Sequence, residues 1–176
     1  MAKHKLTMQE KLDKRKYKKP NRVVRWIFYH IVIKPFLSPM HKVQVEIKDS
    51  IKKCKGAAFI IYNHQSRTDF IWQTQCAEGK PLNFMVGYNE FFRSHLKFIA
   101  KFIHFIPKKN FTLDMPSMRA VKKIISDGGI VCFAPEGMSS INGHNQPIVP
   151  GTGKMLKKYG VPVYCAKGKG DRKSVV

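Results

Sequence analysis

Acidic residues are scarce in this chain of 176 residues: 11 Asp and Glu stand against 33 Lys and Arg, for a net charge of +22. That balance disfavours cationic partners and favours anionic ones, whether nucleic acid, acidic lipid or a phosphorylated substrate, although a merely solvated basic surface has the same composition. Cysteine is equally sparse. Cys54, Cys76, Cys132 and Cys165 lie far apart and form no CxxC pair. This spacing points away from a zinc site and from a disulfide framework, and it predicts buried, reduced thiols in a cytosolic protein. No run of about 18 apolar residues occurs, so a membrane-spanning helix is not expected. The extreme N-terminus is polar and charged, unlike a secretory signal, and no internal repeat is visible. The length fits one domain with a substantial core.

What is present starts with charge. Residues 1–19 carry eight Lys or Arg against Glu10 and Asp13, and alone they read as a solvated tail. They lead into Val23-Val24-Arg25-Trp26-Ile27-Phe28-Tyr29-His30-Ile31-Val32-Ile33, which is apolar and aromatic and stops before Lys34-Pro35. A basic segment feeding a Trp/Phe/Ile helix fits an amphipathic helix lying in a membrane interface; the competing reading is a helix packed on the core. Residues 1–40 are therefore expected to form a basic N-terminal segment with an interfacial helix.

Residues 41–170 alternate strand-like and helix-like stretches. Val43 to Ile47 has period two and predicts a half-buried strand. Ala57 to Tyr62 and Ile130 to Ala134 are short apolar runs cut off by polar turns, and they predict buried strands. Asn83 to Val86 and Val161 to Ala166 predict further strands. Helices are expected over 70–77, 89–103, 115–126 and 154–159, the third ended by Asp127-Gly128-Gly129. The alternation predicts an α/β fold, with a largely parallel (mixed) sheet flanked by helices.

Two of the polar turns carry chemistry. Asn63-His64-Gln65-Ser66-Arg67-Thr68-Asp69 follows the first buried strand, and Pro135-Glu136-Gly137 follows the second, His64 and Glu136 being 72 positions apart. If the two strands are parallel neighbours, both turns leave the same sheet edge, where α/β proteins place their sites. An imidazole can take a proton from an alcohol at neutral pH when its other nitrogen is held, and Asp69 is a candidate to hold it. Alone, a His and an Asp five apart fit a structural loop hydrogen bond at least as well.

Taken together, the motifs resemble a known family. Asn63 to Asp69 resembles the NHxxxxD block of the glycerolipid acyltransferases, typified by lysophosphatidic acid acyltransferases. Phe105-Ile106-Pro107 is similar to their FIP-type block, Pro135-Glu136-Gly137 to the PEG of their FPEGTRS block, and Gly160-Val161-Pro162-Val163 to their GVP-type block. The four blocks fall in order over roughly residues 57–166. The resemblance implies transfer of a fatty acyl group from acyl-CoA or acyl carrier protein to a lysophospholipid hydroxyl, most typically 1-acylglycerol-3-phosphate giving phosphatidic acid, in phospholipid biosynthesis. It implies His64 as general base and Asp69 as its orienting partner. It also implies Asn63, Ser66, Arg67, Glu136 and Gly137 in substrate binding, with no metal and no cofactor beyond the donor. The chain departs from the family at Met138-Ser139-Ser140, where Thr-Arg-Ser is expected, at Asn110 and at Pro147 to Gly151. An arginine expected near the acceptor phosphate is thus absent, and Lys108, Lys109 and Lys154 are candidates to supply charge, although each also fits plain surface. The expected setting is an anionic membrane surface on the cytoplasmic face, with the protein peripheral or monotopic.

Two patterns are discounted. Pro150-Gly151-Thr152-Gly153-Lys154 lacks the upstream glycine of a phosphate loop, and Met155 replaces its Ser/Thr. Basic residues interleaved with aromatics raise a non-catalytic membrane- or RNA-binding alternative, but neither an RRM signature nor a zinc-finger spacing is present, so a nucleic-acid partner is not expected. Finally, Asp171-Arg172-Lys173-Ser174-Val175-Val176 and a stop are what the common sequencing-adapter DNA GAT CGG AAG AGC GTC GTG TAG encodes. Residues 171–176 are therefore expected to be a non-native tail, with the natural domain continuing past Gly170.

Overall fold

Ala58–Tyr62 (β1) alternates its side chains between two apolar layers, and the rest of the molecule covers those layers. The computed structural model describes residues 7, 10, 14, 21–40, 42, 44–66, 68–77, 79–92, 104–109, 114–140 and 144–169. After β1 come α2 (Phe70–Cys76), β2 (Leu82–Gly87), β3 (His104–Lys108), α3 (Met115–Ser126), β4 (Ile130–Phe133), α4 (Thr152–Tyr159) and β5 (Val163–Ala166). The N-terminal helix, α1 (Arg22–Ile27), precedes them. The five strands form one sheet in the order β3-β2-β4-β1-β5, and every described pairing is parallel.

Chain direction in the sheet explains how the helices are distributed. From β1 the chain steps across to β2 and β3, then returns to insert β4 beside β1, and finally passes to β5. Right-handed crossovers in opposite directions put their helices on opposite faces. Accordingly Ile71 of α2 joins Ala58, Ile60, Phe84 and Cys132 in one layer, while Val121 and Ile124 of α3 join Phe59, Ile106 and Val131 in the other. In α3 the helical spacing of Met118, Val121, Ile124 and Ile125 predicts the inward face; Val121 and Ile124 are buried, Met118 and Ile125 are half-buried, and Ser117 is buried as well.

The N-terminal helix departs from expectation. Asn21 caps it by accepting from the backbone N–H groups of Val23 and Val24. Instead of stopping at Lys34-Pro35, it widens to π geometry over Phe28–Leu37 and ends in a turn at Ser38–Met40. Phe28 and Ile33 are buried against the core. Burial of two such side chains contributes about 1.5–3 kcal/mol each, enough to offset the roughly 3 kcal/mol that a proline inside a helix costs. Other apolar side chains of the segment face outward: Trp26, Ile31 and Phe36 are 61%, 54% and 68% exposed. The segment thus packs on the core, as the competing reading expects, while these three side chains stay exposed.

Other differences follow from partners that the pattern does not reveal. Residues 44–47 form no strand and are mostly exposed, because an alternating segment needs a neighbour for its backbone and a layer for its apolar face. Of the helix expected at 89–103, the described part is a 3₁₀ segment, Tyr88–Phe92; residues 93–103 and the expected tail 171–176 lie outside the described residues. Cysteine burial is uneven. Cys132 is buried and its thiol is pushed well above the ordinary range by desolvation, whereas Cys165 is exposed. Cys165 and Val163 share one face of β5, and both are exposed among the described residues.

Candidate active site

The register of β1 decides where the two polar turns meet. Ile61 lies opposite Phe133 of β4, and Tyr62 lies opposite Ala166 of β5. Asn63-His64 and Pro135-Glu136 therefore leave the sheet side by side at its C-terminal edge. The chain leaves β1 toward a helix on one face and leaves β4 toward a helix on the other, so the crevice between them is the topological switch point of the sheet. A backbone hydrogen bond joins the turns directly, the Ser140 N–H donating to the His64 carbonyl at 3.0 Å.

Within the first turn, Asp69 is the organising acceptor. It sits at the start of α2, is buried, and turns its carboxylate back into the loop rather than capping the helix. Oδ2 lies 2.8 Å from His64 Nδ1. The backbone N–H of Gln65 donates to Oδ2 at 2.9 Å and that of Ser66 to Oδ1 at 3.0 Å. The Trp72 indole N–H donates to Oδ1 at 3.2 Å. An ionised carboxylate can only accept, so the hydrogen on His64 resides at Nδ1 and the neutral imidazole presents its lone pair at Nε2. The His64 side chain is 26% exposed at the crevice. Tyr62 meets the His64 ring edge-on at a centroid distance of 6.0 Å, and burial pushes its phenol far above the usual range, so it stays neutral.

The second turn is shaped by proline and glycine. Its hydrogen bond from Gly137 N–H to the Ala134 carbonyl (3.2 Å) closes a four-residue turn with Pro135 second and Gly137 fourth. Gly137 has φ +73°, and a Cβ there would come within 3.1 Å of Val149 Cγ2. Glu136 is buried, and its Oε2 accepts from the Gln146 backbone N–H at 3.1 Å. Beyond this turn, Met138, Ile148 and Val149 are exposed apolar side chains at the same edge.

The remaining candidates fall in different places. The Asn63 amide donates to the Gly168 carbonyl (3.0 Å) and accepts from the Gly168 N–H (2.7 Å), which ties the histidine turn to the end of β5. Ser66 Oγ lies 3.0 Å from Thr68 Oγ1 in the exposed outer loop, and Arg67 lies outside the described residues. Lys108 and Lys109 close β3, at the same edge but three strands from β1, roughly 14 Å at the usual strand spacing. Lys109 Nζ sits 5.6 Å from the Tyr88 ring centroid. Sequence reasoning missed Trp72, whose indole anchors Asp69. Its position three residues after Asp69, on the same side of a helix start, was the available signal.

Between residues 42 and 166, most of its length, the chain matches the model of the Acyltransferase family. It belongs to that family. No curated protein and no solved structure matches the chain. Membership makes the protein an acyltransferase.

Proposed function

We propose that this acyltransferase moves a fatty acyl group from acyl-CoA or acyl carrier protein to the free hydroxyl of a lysophospholipid, with 1-acylglycerol-3-phosphate as acceptor and phosphatidic acid as product. The observation that carries the reading is the 2.8 Å contact between His64 Nδ1 and the buried Asp69, placed at the β1–β4 crevice of a chain from this family. In the reading, His64 Nε2 takes the acceptor's hydroxyl proton as the oxygen attacks the thioester carbonyl. The tetrahedral intermediate collapses, the C–S bond breaks, and the thiolate leaves with the proton held on the imidazolium. Asp69 keeps the ring oriented and stabilises its charged form, as in triad chemistry. The step balances without a cofactor. Asn63, Ser66, Arg67, Glu136 and Gly137 shape the substrate end of the crevice, and Lys108 and Lys109 add positive potential further along the same edge. A labelled acyl-CoA offered with a panel of lysolipids tests the acceptor. Label in phosphatidic acid is the expected result, and label in another diacyl lipid with none in phosphatidic acid overturns the acceptor assignment.

Residues 1–40 serve in this reading as the interfacial segment of the domain spanning 41–170, at the cytoplasmic face of the membrane. Among the described residues no helix is long and apolar enough to cross a bilayer. The exposed row of Trp26, Ile31 and Phe36 beside a strongly basic chain suits an anionic surface. Ile31→Asp combined with Phe36→Asp is expected to reduce co-sedimentation with phosphatidylserine vesicles at least ten-fold, and wild-type binding is expected to weaken as salt rises. Unchanged binding by the double variant overturns the assignment of this row.

A further inference from the structure

A cavity of about 360 Å³ lies beneath the N-terminal helix, walled by Phe28, Ile33, Leu82 and Phe84 and bordered by Trp26, Arg25 and Lys80. Its floor is the N-terminal end of β2, and Thr74 from the last turn of α2 closes one side. His64 follows the C-terminal end of β1. Because the strands are parallel, the cavity and the histidine crevice lie at opposite ends of the sheet, a strand length of roughly 17 Å apart. A ligand in the cavity is therefore not at the reacting atoms, and the inference that follows does not depend on the catalytic reading.

We propose that this cavity is a second lipid site, which takes the acyl chain of a single-chain lipid with an anionic head group. Size and lining argue for one chain: the volume is at the lower end of the roughly 300–1,000 Å³ typical of small-molecule sites, and the walls are apolar. Among the described residues that line it, Arg25 and Lys80 carry positive charge, His30 stands beside them, and none is a carboxylate. Arg25 and Lys80 are already held in place. Arg25 Nη2 donates to the Leu82 carbonyl at 2.5 Å, and Lys80 Nζ donates to the Cys54 carbonyl, so their charges are fixed beside the opening before any ligand arrives. Trp26 borders the cavity and is itself 61% exposed, so an apolar side chain connects the cavity to the outside. The occupied site would tie the N-terminal helix to β2 through the ligand, in addition to the Arg25–Leu82 bond.

The two tryptophans of the chain make the test local, since Trp26 borders the cavity and Trp72 contacts Asp69 at the other end. Dibromostearate, a single-chain anionic quencher, is titrated into the full chain below its micelle concentration. Saturable quenching with one ligand per chain, lost in Trp26→Phe and kept in Trp72→Phe, is the expected result. Quenching lost in Trp72→Phe instead, or rising without saturation, overturns the site. Thr74→Phe fills the cavity and is expected to weaken binding at least ten-fold. Lys80→Gln tests the head group without touching the core: binding of dibromostearate falls about three-fold, returns in Lys80→Arg, and is unchanged for the zwitterionic brominated lysophosphatidylcholine. Equal affinity of wild type for the two ligands overturns the anionic preference.

Discussion

His64→Ala lowers kcat for acyl transfer by about 10²- to 10⁴-fold, the range a positioned general base contributes. The substitution removes a side chain that touches the reacting proton and leaves the Asp69 bonds to Gln65, Ser66 and Trp72 in place. KM for the acceptor therefore changes little, because the lost interaction exists only in the transition state. Asp69→Asn gives a loss of similar size for a different reason. An amide has one accepting oxygen where the carboxylate has two, so His64 can no longer keep its hydrogen at Nδ1 while Gln65, Ser66 and Trp72 all remain paired. Each donor orphaned in a buried setting costs about 1–3 kcal/mol, so the asparagine variant also melts at a lower temperature, which His64→Ala does not. Steady-state kinetics with a labelled acyl donor, run beside thermal melts, separates the two. Retention of activity within ten-fold by His64→Ala would refute the base assignment.

Phe59→Ala destabilises the fold by about 3–5 kcal/mol, the usual cost of emptying a buried phenylalanine site. Phe59 is fully buried in β1. Its ring meets Phe133 of β4 edge-on at 6.0 Å and Tyr159 of α4 at 5.6 Å, so it joins strand, neighbouring strand and covering helix. Against the roughly 5–15 kcal/mol that stabilises a typical domain, that loss is large. Urea unfolding shows it as a lower midpoint at an unchanged slope. Lys123→Ala supplies the contrast: its exposed i,i+4 pair with Asp127, at 3.4 Å, is worth less than about 1 kcal/mol. A midpoint for Phe59→Ala as high as that of Lys123→Ala would show that β1 is not the centre of the core.

The buried strands β1 and β4, helix α3 and the two turns that carry His64 and Glu136 are legible in the amino-acid sequence, because each is encoded within a few residues. Apolar runs stop at Asn63 and Pro135, helical spacing marks Val121 and Ile124, and Gly137 stands where φ is positive. The pairing of His64 with Asp69 was also within reach, since five residues of loop suffice to bring them together. Segments whose state depends on a distant neighbour were not legible. Val45 and Ile47 alternate like a strand but pair with no strand among the described residues, Cys165 lies on a strand face that no described residue covers, and the proline in the N-terminal helix is tolerated because Phe28 and Ile33 bury against the core. Tertiary structure alone decided that β4 inserts beside β1, which sets the Glu136 turn against His64 and leaves Lys108 and Lys109 three strands away. It also decided that Trp72 anchors Asp69 and that a cavity opens under the N-terminal helix. Local sequence fixes the chain's short-range geometry, but strand order and the space left between packed layers depend on contacts between residues far apart in the chain, and those form only when the whole sheet does.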